Sequence, residues 1–144
     1  MKIFIAGIMQ GSKKGKGMQE QDYRQRIRAA VEVNHPEAEI VEPFSLFPGS
    51  VEFDDQRAKE TLFALAAEAG SSDILIAYLP EASMGTALEM VRAYDNGTTI
   101  ISISDMDANW FIRATSEKIF QTLDEFCDWA GQTQFGDMLG ASKS

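Results

Sequence analysis

The segment "EASMGTALE", residues 81–89, places small polar residues a few positions before a carboxylate. If a helix begins after Ser83, the backbone amides of Gly85 and Thr86 have no partner inside that helix. Free amides and the helix dipole favour an anion at this end, and glycine lets a ligand approach the backbone closely. Glu89 is then either a solvated surface acid or the carboxylate that this site presents to a ligand.

The helix that carries Glu89 is predicted over residues 84–95. Apolar residues at helical spacing indicate a stripe that packs on the core, made of Ala87, Met90, Val91 and Tyr94. Glu89 lies roughly 200° around the helix from Ala87, at 100° per residue. The periodicity therefore directs Glu89 away from the sheet.

The apolar runs "KIFIA", "AEIVEPF", "DILIAYL" and "TTIISIS" predict four strands, and "KIF" at 118–120 predicts a short fifth. Helices are predicted between and after these strands. They cover residues 18–34, Asp54 or Asp55 to Ala69, 84–95, about 108–114 and 122–130. Strands that alternate with helices predict an α/β fold. We expect a doubly wound (Rossmann/flavodoxin-like) parallel sheet of four to five strands with helices on both faces.

A ligand of such a sheet binds beyond the carboxyl ends of its strands. We therefore expect the loops Gly7–Gly17 and Pro80–Thr86 to face each other across one crevice. The first loop, "GIMQGSKK", fits neither a P-loop nor a G-x-G-x-x-G dinucleotide fingerprint. Its lysines, Lys13, Lys14 and Lys16, could hold a small anion or be solvated.

Composition narrows the class of protein. The length of 144 residues predicts one domain over 1–130, followed by a loosely held tail over 131–144. The net charge of −9 opposes nucleic-acid binding, and no apolar run is long enough for a membrane span. One cysteine, Cys127, excludes an internal disulfide and fits a reducing cytoplasm. One cysteine and one histidine make an ordinary zinc site improbable.

The stretch "SSDILIAYLPEASMGTALEM", with the opening "KIFIAGIMQGS", resembles the nucleoside 2-deoxyribosyltransferase family, which includes the 2'-deoxynucleoside 5'-monophosphate N-glycosidases. The family motif is a strand led by aspartate, a short loop, and Gly-Thr-x-x-Glu or Gly-x-x-x-Glu at the start of a helix. In this chain these parts fall on Asp73, residues 80–84 and Gly85 to Glu89. The resemblance follows the element order over residues 2–125 and is sharp over 73–93.

The resemblance implies that Glu89 attacks the anomeric carbon of a nucleoside or nucleoside 5'-monophosphate and forms a glycosyl ester. A carboxylate suits this step because the transition state resembles an oxocarbenium cation. Water would complete hydrolysis, and a second base would complete transfer, without a cofactor or metal. Substrate contacts are implied for Gly7, Gln10, Ser12, Lys13, Ser83, Met84, Gly85, Thr86 and Asn109. Asn109 would come from a neighbouring subunit, so the family pattern implies a homodimer or larger homo-oligomer with a shared site.

Several positions depart from the family pattern. Phe4 lacks the hydroxyl of a site tyrosine, and Ile8 and Gln10 replace a phosphate-binding serine and arginine. The insertion "GSKKGKG" could rebuild a phosphate pocket. The acid that assists the leaving base is absent near Leu65, and Glu60, Asp54 or Asp55 could replace it only if the chain brings one of them to the site.

The missing acid favours a second interpretation, a nucleotide-binding or sensor module of the same fold without turnover. A third, a phosphoribohydrolase of the cytokinin-activating type, also carries Gly-Thr-x-x-Glu on a helix, but "PEASMGT" lacks the Pro-Gly-Gly-x-Gly-Thr run of that type. The cluster Trp110, Phe111 and Ile112 fits either core packing or a subunit contact that also walls the base pocket.

Overall fold

The structure, a computed structural model, describes residues 1–7, 17–43 and 54–139, and the side chains from residue 23 onward in the second of these ranges. Its strands are β1 (Lys2–Gly7), β2 (Glu39–Val41), β3 (Ile74–Tyr78), β4 (Thr99–Ile103) and β5 (Lys118–Phe120). Its helices are α1 (Gly17–Asn34), α2 (Asp55–Gly70), α3 (Met84–Asp95), α4 (Trp110–Thr115), α5 (Leu123–Ala130) and α6 (Gly136–Leu139). None of the helices in these ranges has the length and hydropathy needed to cross a bilayer.

The five strands form one parallel sheet in the order β2-β1-β3-β4-β5. In this register Ile3 lies between Ile40 and Ile74, and Gly7 at the end of β1 lies beside Tyr78 at the end of β3. The order reverses between β1 and β3, as in flavodoxin-like folds. The predicted doubly wound α/β fold is confirmed, with five strands.

Alternate residues of each strand point to opposite faces of the sheet, and both faces are covered. Ile3 and Ile5 pack with α1, α5 and the segment around Phe135, whereas Phe4 and Ala6 pack with α2, α3 and α4. A strand buried on both sides reads as a continuous apolar run, and this is why β1, β3 and β4 were predictable. Gly7 and Tyr78 mark the carboxyl ends of β1 and β3, the edge of the sheet at which the crevice is expected.

The end of α1 is joined to the last described segment of the chain. His35 is buried, its Nε2 accepts a hydrogen bond from the Phe135 backbone N–H at 3.1 Å, and the two rings lie 4.7 Å apart. The Asn34 side chain donates to the Ala130 and Thr133 carbonyls. Phe135 is fully buried and stacks on Trp129. Residues 131–139 are therefore held against the core by this aromatic contact and these hydrogen bonds.

Candidate active site

Helix α3 begins at the carboxyl edge of the sheet, with Ser83 as its N-cap. The Ser83 Oγ accepts a hydrogen bond from the Thr86 backbone N–H at 3.3 Å and donates to Thr86 Oγ1 at 3.0 Å. This confirms the predicted cap and the helix over 84–95. The expectation of two free amides needs correction, because Ser83 already satisfies the amide of Thr86.

Glu89 lies in the second turn of α3 and is 6% exposed. The face of α3 that packs inward consists of Thr86, Glu89, Met90 and Ala93, at spacings of three and four residues. The predicted stripe of Ala87, Met90, Val91 and Tyr94 is wrong except for Met90, since Val91 is 40% and Tyr94 58% exposed. The helix is rotated so that its carboxylate is buried and two of its apolar side chains meet solvent. Glu89 is not a solvated surface acid.

Two effects of opposite sign act on the Glu89 carboxyl. Burial raises the pKa of Glu89 and the positive charge of Arg24 lowers it, and the net result is a pKa of about 8 in place of 4.5. Arg24 is itself buried and belongs to α1, which packs on the other face of the sheet. Arg24 lies near the carboxyl edge where the order of the strands reverses, because its guanidinium packs on the Tyr23 ring and that ring contacts Tyr78 at the end of β3. A strongly shifted acid with a charged partner in a crevice is typical of a functional site.

The aromatic residues beside this pair link α1 to the ends of β1 and β3. The Tyr23 and Tyr78 rings have centroids 4.3 Å apart, and the Arg24 Cζ lies 4.6 Å from the Tyr23 ring centroid. The Tyr23 hydroxyl reaches the space above Gly7, where it would be 2.0 Å from an added Cβ. Gly7 therefore serves a close approach between the end of β1 and α1.

Gly7→Ala should destabilise the protein by about 1–3 kcal/mol, because the new methyl group overlaps the buried Tyr23 side chain and forces it off Tyr78. The measurement is urea unfolding at one pH. Gly85→Ala is the matched control, since an added Cβ there meets no heavy atom within 4 Å and alanine favours a helix. Equal stability of Gly7→Ala and the wild type would show that the Tyr23 side chain makes room for the added methyl group at no cost in free energy.

Arg24 is the residue that the sequence reasoning missed. The helix over 18–34 is predicted from the spacing of Tyr23, Ile27, Ala30, Val31 and Asn34, and Arg24 stands three positions before Ile27 and seven before Val31. An arginine at core spacing in an amphipathic helix was the available signal. It was passed over because arginine usually lies at the surface.

The described part of the chain includes only some of the other predicted substrate contacts. Gln10, Ser12 and Lys13 lie within residues 8–16, which are outside the described residues, as do Lys14 and Lys16. Met84 and Gly85 stand in the first turn of α3, next to the cap, and the Met84 side chain is almost fully exposed. Asn109 begins α4, and its Oδ1 accepts from the backbone N–H groups of Phe111 and Ile112. Its side chain is thus engaged within its own subunit.

The structure brings no substitute for the missing helper acid to Glu89 among the described residues. Leu65, near the position that the resemblance implies for that acid, is buried on the inward face of α2. Asp54 caps α2 through the Arg57 backbone N–H at 2.8 Å, and Asp55 and Glu60 are exposed on that helix. None of the three has Glu89 as an electrostatic partner.

The apolar residues at the start of α4, Trp110, Phe111 and Ile112, were expected either to pack in the core or to form a subunit contact. Ile112 is buried and Phe111 packs against the same core, whereas Trp110 is 85% exposed. Core packing thus accounts for Ile112 and most of Phe111. Trp110 makes no use of the core of its own subunit.

Comparisons with known proteins agree on the architecture. No protein-family model matches the sequence, and no curated protein matches it. Among solved structures, a 2-deoxyribosyltransferase from Bacillus psychrosaccharolyticus has a TM-score of 0.68 and 16% identity, with 96% of each chain covered. A conserved protein from Enterococcus faecalis V583 has a TM-score of 0.63 and 16% identity, with coverage of 92% of this chain and 98% of that one.

A CMP N-glycosidase from Clostridium botulinum has a TM-score of 0.52 and 18% identity, covering 89% of this chain and 95% of its own. Identities this low establish a shared fold, over nearly the full length of each protein. The chain therefore has the flavodoxin-like fold of a 2-deoxyribosyltransferase and an N-glycosidase, and the resemblance seen in its sequence is confirmed at the level of that fold.

Proposed function

We propose that this protein cleaves or transfers the N-glycosidic bond of a nucleoside or nucleoside 5'-monophosphate, with Glu89 as the nucleophile. The observation that carries the proposal is the burial of Glu89 on α3, which begins at the carboxyl edge of the sheet. Burying a carboxylate costs free energy, so a buried acid with a raised pKa is typical of a functional site. The fold shared with a 2-deoxyribosyltransferase and a CMP N-glycosidase supports the same reaction class.

The chemistry follows from the position of the carboxylate. A Glu89 oxygen bonds to the anomeric carbon as the carbon–nitrogen bond breaks, and the departing base takes the electron pair and then a proton from water. Water then cleaves the glycosyl ester, giving free sugar and regenerating Glu89, or a second base takes up the glycosyl group. In this proposal Ser83, Met84, Gly85 and Thr86 at the start of α3 line the sugar or phosphate side.

The first experiment is an incubation with ribo- and deoxyribonucleosides and their 5'-monophosphates, with and without a second free base, followed by chromatography. Base release alone would identify a hydrolase, and base exchange a transferase. A requirement for the 5'-phosphate would implicate Gln10, Ser12 and Lys13 in holding it. If no nucleoside or nucleotide loses its base between pH 6 and 9.5, the proposed activity is wrong.

A binding or sensor module is the second candidate, and one observation favours it. Leu65 fills the place of the helper acid, and assistance to the leaving group is typically worth 10²–10⁴-fold in rate. Such a module would show a rise in melting temperature with a nucleotide from the panel, because the ligand binds the native state, but no release of base. The two readouts on one panel separate the candidates.

We further propose that the chain forms a homodimer or larger homo-oligomer through the side of the molecule that carries α2, α3 and α4. Large apolar side chains are exposed there on all three helices, namely Leu62, Phe63, Met84, Val91, Tyr94 and Trp110. Apolar side chains that a subunit leaves in water are typical of an interface between subunits. A partner docked there could bring its own Asn109 and Trp110 towards the site.

Trp110→Glu should therefore convert the assembly to monomers, because it places a charge in an apolar contact. Sedimentation velocity of the wild type and the variant at micromolar concentrations measures this. Val33→Glu is the control, since Val33 is equally apolar and 66% exposed but lies on α1, in the other helical layer. A monomeric wild type would contradict the proposed assembly.

A further inference from the structure

We propose that Arg24 is a positioning residue for Glu89: its buried guanidinium orients the carboxylate at the sheet edge and balances its charge during the reaction. The inference rests on the proposed function only in taking Glu89 as the nucleophile. It assigns a role to a residue of α1. The charge state of Glu89 on α3 then depends on a residue of the other helical layer.

The geometry fixes the Arg24 side chain. Arg24 is buried on the inward side of α1, where Ile27 and Val31 belong to the core. Its guanidinium carbon lies 4.6 Å from the centroid of the Tyr23 ring, and that ring is held in turn by Tyr78 at 4.3 Å. Gly7 leaves the space that the Tyr23 hydroxyl occupies. A rigid, planar cation in such a position can orient a carboxylate, which a mobile surface charge cannot do.

Among the described residues, the helices and strands around Glu89 otherwise contribute little charge. The elements packed against α3 are α2, α4, β1, β3 and β4. On α2, Asp55, Arg57, Lys59 and Glu60 are exposed, and Glu68 bonds Lys2 at the opposite end of β1; on α4, Arg113 is exposed. Tyr78 ends β3 at the crevice. Within the described ranges, Arg24 is the charge that acts on the Glu89 carboxyl.

A buried cation beside a buried acid favours the ionised acid. Burial raises the pKa of Glu89 and so favours the protonated carboxyl, which is not a nucleophile. Arg24 offsets part of that effect, so its loss should lower the ionised fraction of Glu89 at neutral pH by about tenfold or more. The same loss should matter little above the titration range, where Glu89 is ionised in both proteins.

The test is a ¹³C NMR titration of the Glu89 carboxyl in the full chain, with the resonance assigned by its absence in Glu89→Gln. Arg24→Met should move the midpoint from about pH 8 to about 9 or higher. Arg24→Gln is a second charge-removing variant with a polar side chain, for use if the first does not fold. Arg24→Lys should restore a midpoint near that of the wild type. Arg92→Met, which removes the same charge from the exposed side of α3, should leave the midpoint unchanged.

Base release gives the second readout. In Arg24→Met, kcat/KM should fall about tenfold at pH 7 and approach the wild-type value at pH 10, whereas a purely structural defect would lower it equally at every pH. One pH unit in the midpoint corresponds to a tenfold change in ionisation. If Arg24→Met or Arg24→Gln moves the Glu89 midpoint by less than about 0.3 pH units, well below that step, the inference is overturned. If the wild type releases no base, the proposed function fails, and the NMR titration still decides the role of Arg24.

Discussion

Glu89→Gln is expected to lower base release by at least about 1,000-fold, because the variant keeps the shape of the side chain and loses the nucleophile. Glutamine fills the same buried volume on the inward face of α3 and carries no charge that must be buried. We therefore expect the fold and ligand binding to survive. The measurement is the rate of base release from the best substrate of the panel, beside the ligand-induced shift in melting temperature.

Asp95→Asn is the matched control for this experiment, because it makes the same chemical change at the exposed end of the same helix. Its turnover should equal that of the wild type. Full turnover by Glu89→Gln would show that another group carries the glycosyl intermediate or that the reaction proceeds without one. Lost turnover together with lost ligand binding would instead indicate a collapsed site.

The second large effect is on the pH dependence of stability. The folded pKa of Glu89, about 8, exceeds its unfolded value of 4.5, so between these values the folded state binds more protons than the unfolded state. The stabilisation from the neutral carboxyl is fully present below pH 4.5 and is lost as the pH rises through 8. The full difference corresponds to about 3–5 kcal/mol at 1.36 kcal/mol per pKa unit.

Glu89→Gln cannot ionise at this position, so the stability of the wild type relative to that variant should fall by this amount between pH 4.5 and 9. Urea unfolding of both proteins at pH 5, 7 and 9 measures it, since every other titrating group is common to the two. Asp95→Asn should run parallel to the wild type. Parallel curves for the wild type and Glu89→Gln would mean that Glu89 is ionised in the folded protein throughout and is less desolvated than its burial indicates.

The fold was predictable from local pattern because each central strand is an unbroken apolar run and each intervening helix has clear ends. Ser83 and Asp54 cap helices as their positions predict, and α1 covers the predicted residues 18–34 with one more at its start. Caps and apolar runs are determined by neighbours in sequence, and a single sequence contains them in full.

The site was less predictable because its electrostatics come from two helices on opposite faces of the sheet. The rotation of α3 was misjudged because Val91 and Tyr94 are apolar but exposed, while Glu89 is charged but buried. A prediction from hydrophobic periodicity assumes that the apolar residues of a helix are buried and the charged ones exposed, and functional sites are where this assumption fails. The interaction of Arg24 with Glu89 spans 65 positions in sequence, and no local pattern encodes it.

The hydrogen bond between His35 and Phe135, 100 positions apart, has a consequence for the order of assembly during synthesis. The first helix leaves the ribosome well before the aromatic residues that cover its inner face, Phe126, Trp129 and Phe135, are translated. Until then β1 and α1 expose apolar surface that only later residues can bury. During that time the exposed apolar surface of the nascent chain can aggregate, as expected for a parallel sheet whose contacts join segments far apart in sequence.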